Sequence, residues 1–157
     1  MEIERKYLIK ELPDHLENYS CREIEQGYLC QNPVVRIRKD NDEYYLTYKG
    51  KGLLAREEYN LPLTKESYEH LREKIDGKAI TKKRYMIPLP SPSYQNGFQS
   101  DEALTIELDL FSSPTDLIMA EVEFSSLEMA NAFVAPDWFG EDVTDNPAYH
   151  NVNMIYL

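Results

Sequence analysis

The sequence is poor in the residue types that build disulfide frameworks and zinc sites. It has two cysteines, Cys21 and Cys30, which are too few for a disulfide framework and lack the spacing of a metal-ligand pair. Its three histidines are scattered along the chain and share no short ligand spacing, which argues against a structural zinc site. Any metal ion bound by this chain is therefore expected to have oxygen ligands.

Long apolar runs are missing as well. No segment approaches the length needed to cross a bilayer, and the N-terminus starts directly in a charged, alternating pattern that does not resemble a signal peptide. A cytoplasmic protein with no membrane partner is the expectation. The formal net charge of −11 also disfavours nucleic acid as a partner, because surfaces that bind nucleic acid are basic.

The 157 residues are enough for one domain with a sizeable core, and neither a repeat nor a shift in composition marks a boundary within 1–157. Alternation of apolar and polar residues predicts strands along most of the chain. One helix is predicted from the N-cap residue Thr64 to Gly77, and a second from Ser125 or Ser126 to about Val134. A short helix is expected near the C-terminus, so the pattern predicts a mainly antiparallel β chain with two or three helices.

Ionisable residues occupy one face of nearly every predicted strand. Side chains two positions apart share a strand face, and the polar face of a half-buried strand normally mixes neutral and charged residues. Here the charges are sorted by strand into basic and acidic groups. The groups are Glu2, Glu4 and Lys6; Arg36 and Arg38; Lys49; Arg56 and Glu58; Lys82 and Arg84; Glu107 and Asp109; and Glu121 and Glu123.

A closed sheet would bring these charged faces together in its interior. A lumen with basic and acidic walls suits a polyanion that is bound together with a divalent metal, because basic groups neutralise phosphate oxygens and carboxylates bind hard cations such as Mg²⁺. Each group alone is more consistent with a solvated strand face. Seven such strands in one small domain favour the lumen.

The segment Glu2-Ile3-Glu4-Arg5-Lys6 resembles the ExExK signature of the CYTH, or triphosphate tunnel metalloenzyme, family. The resemblance extends over nearly the whole chain, because further family-like segments follow in the family's order. These segments are Gln26-Gly27-Tyr28-Leu29, Val35-Arg36-Ile37-Arg38, Leu46-Thr47-Tyr48-Lys49-Gly50, Arg56-Glu57-Glu58, Ile80-Thr81-Lys82-Lys83-Arg84-Tyr85, Ile106-Glu107-Leu108-Asp109-Leu110-Phe111 and Ala120-Glu121-Val122-Glu123.

The resemblance implies an α+β fold, mainly antiparallel β, with a closed eight-stranded barrel that forms a tunnel for triphosphates. It implies cleavage of the substrate with Mg²⁺ or Mn²⁺, by in-line attack of a metal-positioned water. The metal ligands carried over by position are Glu2, Glu4 and Glu123, with Asp109 and Glu121 close by and Glu107 as a further tunnel acid. The phosphate-binding residues are Lys6, Arg36, Arg38, Lys49, Arg56, Lys82 and Arg84. Catalytic roles fall to Lys6, Lys82 and Arg84, and to Glu58, which is expected to orient one of the bases.

Two positions depart from the family pattern. Asn60 stands where family members often carry a third acid after Arg56 and Glu58. Ala148 stands where a lysine or arginine commonly precedes the tyrosine of the C-terminal segment, here Tyr149. The second departure concerns one end of the expected tunnel.

Hydrolysis of inorganic tripolyphosphate is the activity that the short link between Gln26–Leu29 and Arg36 favours, since this link resembles the small bacterial hydrolases. The alternatives are a class IV-type adenylate cyclase, a thiamine or nucleoside triphosphatase, and a module that binds polyphosphate or nucleotide without cleaving it. In every case the partner is a small polyphosphate or triphosphate molecule. The sequence leaves open whether the protein forms a homodimer.

Overall fold

The computed structural model describes all residues, 1–157, and consists mainly of antiparallel strands. The strands are β1 (Glu2–Ile9), β2 (Ser20–Gln31), β3 (Val34–Asp40), β4 (Glu43–Lys49), β5 (Ala55–Arg56), β6 (Glu58–Pro62), β7 (Asp76–Leu89), β8 (Ser93–Tyr94), β9 (Leu104–Ser113), β10 (Leu117–Glu123), β11 (Phe133–Val134) and β12 (Phe139–Asp142). The α-helices are α1 (Lys65–Arg72) and α2 (Leu127–Ala132), and single 3-10 turns cover Leu16–Asn18, Pro147–Tyr149 and Asn151–Asn153.

The main sheet closes on itself as a barrel. Seven strands follow one another in the order β1-β10-β9-β7-β2-β3-β4. β6 pairs with β4, and β5 pairs with β1, where Glu2 lies opposite Arg56. Because only Glu57 separates β5 from β6, these two short strands together form the eighth strand of the barrel. The predicted fold class is therefore confirmed, with the addition that β12 pairs with the far half of β1.

Strand register sends the charged faces into the barrel and the apolar faces outward. Lys6 lies opposite Glu121, and Arg84 lies opposite Asp109. The intervening residues form a core outside the barrel wall, beneath α2 and the short β8–β11 pair. This core comprises Tyr7, Ile87, Leu104, Ile106, Leu108, Ala120, Val122, Phe124, Met129, Ala130, Phe133 and Phe139.

A second, smaller core closes one end of the barrel lumen. There the C-terminal segment, residues 143–157, contributes Met154 and Ile155 to a cluster with Tyr28, Val34 and other strand residues. The backbone N–H of Lys78 donates to the carbonyl oxygen of Ile155 at 2.8 Å, which ties the segment to β7. The barrel is therefore a tunnel with one closed end.

The helices are shorter than the sequence pattern predicts. α1 begins as expected after Thr64, whose hydroxyl accepts the backbone N–H of Ser67, but it ends at Arg72 instead of running to Gly77. The chain leaves the helix so that Ile75 packs on the bare backbone of Gly27, where a Cβ atom would lie 2.5 Å from an Ile75 methyl group. α2 ends at Ala132 because the next two residues pair as β11.

Candidate active site

The barrel lumen contains a cavity of about 710 Å³. Only four of the 25 residues that line it are hydrophobic, so its occupant must be polar or charged. The lining includes twelve of the fourteen predicted site residues: Glu2, Glu4, Lys6, Arg36, Arg38, Lys49, Arg56, Glu58, Arg84, Glu107, Glu121 and Glu123. The other two, Lys82 and Asp109, are buried in the wall and contact the lining through Arg84.

Arg84 is the centre of a buried ion-pair network on β7 and β9. Its Nε and Nη2 atoms donate to the two carboxylate oxygens of Asp109 at 2.7 and 2.8 Å, and its Nη1 donates to Glu107 at 2.8 Å. Burial opposes the charged form of Asp109, but the cations of Arg84 and Lys82 hold its pKa below the usual range. The carboxylate of Asp109 is therefore committed to these two bases.

Lys82 lies deepest in this network. Its Nζ is 2.8 Å from Oδ2 of Asp109, without the angles of a directed hydrogen bond, and 5.0 Å from the ring centre of Phe111. Burial lowers the pKa of Lys82 to about 7, and the neighbouring Arg84 cation adds to this effect against the attraction of Asp109. An anion beside Lys82 is expected to favour its charged form.

Lys6 joins the acidic strands β1 and β10. Its Nζ donates to Glu121 and lies 3.3 Å from Glu4, and all three side chains are less than a tenth exposed. Burial opposes the charge on Lys6, but the Glu121 and Glu4 carboxylates raise its pKa above the usual value. Lys6 therefore remains a cation among these carboxylates.

A second ion-pair cluster lies where β5 and β6 close the barrel. Nζ of Lys49 is 2.8 Å from Glu2 and 3.3 Å from Glu58, and Nε of Arg56 is 4.0 Å from Glu2. Burial and the nearby Glu4 carboxylate raise the pKa of Glu2. Burial opposes the ionisation of Glu58, but the neighbouring Glu2 carboxyl group and the charge of Lys49 lower the pKa of Glu58. Among the predicted phosphate-binding bases, Glu58 thus contacts Lys49.

Arg36 and Arg38 on β3 form the part of the wall that no carboxylate neutralises. Arg36 donates to the hydroxyl of Thr47 at 3.2 Å and leaves its buried Nε without a partner. Arg38 donates twice to the amide oxygen of Gln26, at 2.9 and 2.6 Å. Burial, together with the charges of Arg36 and Arg84, lowers the pKa of Arg38 to about 10. This face therefore carries uncompensated positive charge for an anionic ligand.

The opposite wall carries acids that repel one another. Burial and Glu4 raise the pKa of Glu2 to about 8. Partial desolvation and the carboxylates of Glu107, Glu4 and Glu58 raise the pKa of Glu123. A bound cation relieves such repulsion, and carboxylate oxygens are the ligands that Mg²⁺ and Mn²⁺ prefer.

The carboxylates do not form a cluster with metal-ligand geometry. No three acidic, histidine or cysteine side chains converge on one point as metal ligands do. Of the five predicted ligands, Asp109 and Glu121 are engaged by Arg84, Lys82 and Lys6. The residues therefore match a hard cation in charge and donor type, with Glu4 and Glu123 as the acids least neutralised by strong ion pairs.

The sequence reasoning missed several uncharged residues in this site. Gln26 is fully buried and holds Arg38. Thr47 donates to Asn60 at 2.6 Å, and Asn60 donates to Glu58 at 3.0 Å, so the position that departs from the family pattern links the basic wall to Glu58. Strand alternation carried a signal for Thr47, because it shares a face with Lys49.

The C-terminal segment contributes to the tunnel through a residue other than the one expected. Ala148 is exposed and does not line the cavity. His150, Asn151 and Val152 do line it, and His150 is buried. No basic side chain therefore stands at position 148, and the imidazole of His150, two residues later, lines the tunnel instead.

Comparisons with known proteins agree with this architecture. The model of the family described as the CYTH domain matches residues 1–126. The chain belongs to the CYTH family. Neither α-helix of this CYTH protein has the length and apolar character that a membrane-spanning helix needs.

Two curated relatives in this family share about a third of their residues with the chain. The inorganic triphosphatase of Nitrosomonas europaea is 34% identical over 154 residues, which is 96% of this chain and 93% of the relative. The inorganic triphosphatase of Acetivibrio thermocellus is 36% identical over 139 residues, covering 83% of this chain and 78% of the relative.

Solved structures extend the likeness to three dimensions. The crystal structure of an inorganic triphosphatase matches with a TM-score of 0.65 and 31% identity, over 100% of this chain and 95% of that one. A putative adenylate cyclase from Bacillus halodurans matches with a TM-score of 0.53 at 17% identity, covering 83% of this chain and 84% of that one, which shows a shared fold alone.

Proposed function

We propose that this protein is an inorganic triphosphatase that hydrolyses tripolyphosphate inside the barrel. The observation that carries the proposal is the pairing of the uncompensated Arg36–Arg38 face with an acidic wall across one cavity. A triphosphate bound to a divalent cation presents the complementary charges to both walls. The relatives from Nitrosomonas europaea and Acetivibrio thermocellus, both named inorganic triphosphatases, support this choice of substrate.

The reaction needs no protein nucleophile. A water molecule attacks the terminal phosphorus in line with the bridging oxygen, the bond between that oxygen and the terminal phosphorus breaks, and orthophosphate and pyrophosphate form. Lys6, Lys82 and Arg84 supply positive charge that stabilises the charge developing on the phosphate oxygens. Glu58 positions Lys49, which binds the remaining phosphates of the substrate together with Arg36 and Arg38.

The predicted metal ligands are Glu2, Glu4 and Glu123, with Asp109 and Glu121 in support. Glu2, Glu4 and Glu123 would hold a divalent Mg²⁺ or Mn²⁺ ion, which when bound would supply positive charge to the phosphate oxygens. The acids contribute by binding this charge at the wall that faces Arg36. Because Asp109 and Glu121 already pair with bases, their main contribution is to hold Arg84 and Lys6 in place.

An assay of purified protein with tripolyphosphate, ATP and thiamine triphosphate, each with Mg²⁺ or Mn²⁺, tests the proposal. The expected result is release of orthophosphate fastest from tripolyphosphate and none without a divalent ion. Cyclic AMP and pyrophosphate from ATP would instead identify a cyclase. Tight tripolyphosphate binding in calorimetry with no cleavage over hours would identify a binding module. We further propose that the protein acts on a small triphosphate molecule, that residues 1–157 form a single domain and that the protein is cytoplasmic.

A further inference from the structure

His150 lies at the closed end of the tunnel, on the C-terminal segment. It is only 2% exposed and lines the cavity. Its ring is held by Nε2, which lies 2.8 Å from the carbonyl oxygen of Thr144. The Thr144 hydroxyl in turn accepts the backbone N–H of Lys6 at 3.0 Å, which fixes this part of the segment against β1.

This anchoring defines the tautomer of the imidazole. A carbonyl oxygen only accepts hydrogen bonds, so Nε2 must carry the proton in its contact with Thr144. In the neutral ring, Nδ1 then carries a lone pair. Nδ1 of His150 is buried and has no hydrogen-bond partner in the protein. Buried polar atoms are nearly always paired, so an unpaired Nδ1 that lines a cavity is an unusual feature.

The surroundings of His150 favour its neutral form. Burial lowers the pKa of His150, and the hydrogen bond to the Thr144 carbonyl opposes this effect. The cations of Lys6 on β1 and Arg56 on β5 lower the pKa further against the carboxylate of Glu4, and the net direction is downward. A triphosphate brings several negative charges into this space and reverses the balance. Proton uptake by Nδ1 then becomes favourable and gives the unpaired atom a partner.

We propose that His150 is a further substrate-contacting residue, whose Nδ1 takes up one proton from solvent when a triphosphate binds and donates a hydrogen bond to an oxygen of its terminal phosphate. The inference rests on the proposed function. In this chain the C-terminal segment then contacts the substrate through His150, while Ala148 faces away from it.

Nitrogen-detected NMR of ¹⁵N-histidine protein tests the protonation directly. The chain has three histidines, and His70 is exposed on α1, so His70→Gln and His150→Gln variants assign the signals. The probe is a tripolyphosphate analogue with methylene groups in place of the bridging oxygens, added with Mg²⁺ so that it binds without turnover. The expected result is that the Nδ1 signal of His150 moves from the unprotonated to the protonated region at saturation, while the signal of His70 stays where it was.

Calorimetry in buffers of different ionisation enthalpy gives a second readout. Binding of the same analogue is expected to take up close to one more proton in wild type than in His150→Gln, and His150→Gln should bind about 10-fold more weakly. Glutamine retains an N–H that reaches the Thr144 carbonyl, so this variant keeps the anchor and removes only Nδ1. The matched His70→Gln control should bind and take up protons like wild type.

The outcomes separate this inference from the proposed function. If wild type cleaves tripolyphosphate but the His150 signal is unchanged at saturation, the inference is wrong and the function stands. Equal affinity and equal proton uptake in His150→Gln, with only a lower Tm, would show a purely structural role and also overturn it. If wild type neither cleaves tripolyphosphate nor binds the analogue, the proposed function itself fails.

Discussion

Arg84 and Asp109 lie opposite each other on β7 and β9 and make a two-pronged ion pair inside the barrel wall, with contacts of 2.7 and 2.8 Å. Asp109 also lies 2.8 Å from Lys82. One carboxylate thus contacts two buried bases, and Arg84 has further contacts with Glu107 and Glu121.

Replacing Asp109 with alanine should lower the free energy of unfolding by about 3–5 kcal/mol, because Arg84 loses two buried hydrogen bonds and Lys82 loses the carboxylate 2.8 Å from its Nζ. Urea denaturation followed by circular dichroism measures the change. Asp101→Ala, at an exposed position of the loop before β9, is the matched control and should stay within about 0.5 kcal/mol of wild type. A loss below about 1 kcal/mol in Asp109→Ala would show that solvent or another acid compensates these bases.

Arg38→Gln should raise KM for tripolyphosphate about 10- to 100-fold, since a charged hydrogen bond to phosphate is worth about 1.5–3 kcal/mol. Arg38 has no carboxylate partner, but it donates twice to the buried Gln26, so folding stability should fall by about 1–3 kcal/mol and KM is measured well below the Tm of the variant. Lys39→Gln removes a neighbouring charge from the exposed face of the same strand and should leave KM unchanged. Equal effects of the two substitutions would mean that only the overall charge of the protein matters.

Glu4→Gln should reduce metal-dependent turnover at least about 100-fold, because it removes a charged oxygen ligand while preserving side-chain volume. Removing one acid also relieves repulsion with Glu2, so Tm without metal should stay level or rise. Initial rates over a Mg²⁺ titration provide the measurement, with Glu17→Gln on the exposed 3-10 turn as control. Unchanged activity in Glu4→Gln would exclude Glu4 as a metal ligand.

Much of this site is predictable from sequence because strand side chains repeat every two residues. That period alone places Arg36 with Arg38, and Glu121 with Glu123, on shared faces. It does not reveal which acid meets which base, since the Lys6–Glu121 contact depends on register between strands more than a hundred residues apart. Gln26 and His150 were not predicted as site residues for another reason: only the assembled barrel brings Gln26 to Arg38 and His150 to the cavity.

The stability of the protein should depend on pH partly through Glu25, which lies far from the tunnel. Burial opposes its ionisation, but bonds from Arg72 at 2.7 Å and from the Tyr68 hydroxyl at 2.8 Å lower its pKa. A lowered pKa means that the stabilisation is complete above the unfolded-state value of about 4.3 and is lost as the pH falls through the lower folded value.

Glu25→Gln should therefore lower the free energy of unfolding by about 0.5–1 kcal/mol at pH 7, a modest amount because both partners are partly exposed. The difference from wild type should shrink as the pH drops below about 4.3 and should vanish in stronger acid. Chemical denaturation at pH 7, 5, 4 and 3 follows this trend. A difference that stays constant across the series would place the contribution in packing instead of charge.

Closure of the barrel has a consequence for the order of events during synthesis. β1 is made first, yet it pairs with β10 on one side and with β5 and β12 on the other. Contacts between such distant segments form slowly, and the chain emerges from the ribosome at only about 5–20 residues per second. While translation continues, Glu2, Glu4 and Lys6 lack their neighbouring strand β10, which is synthesised more than a hundred residues later. The nascent protein therefore cannot assemble its charged tunnel until β10 has been synthesised.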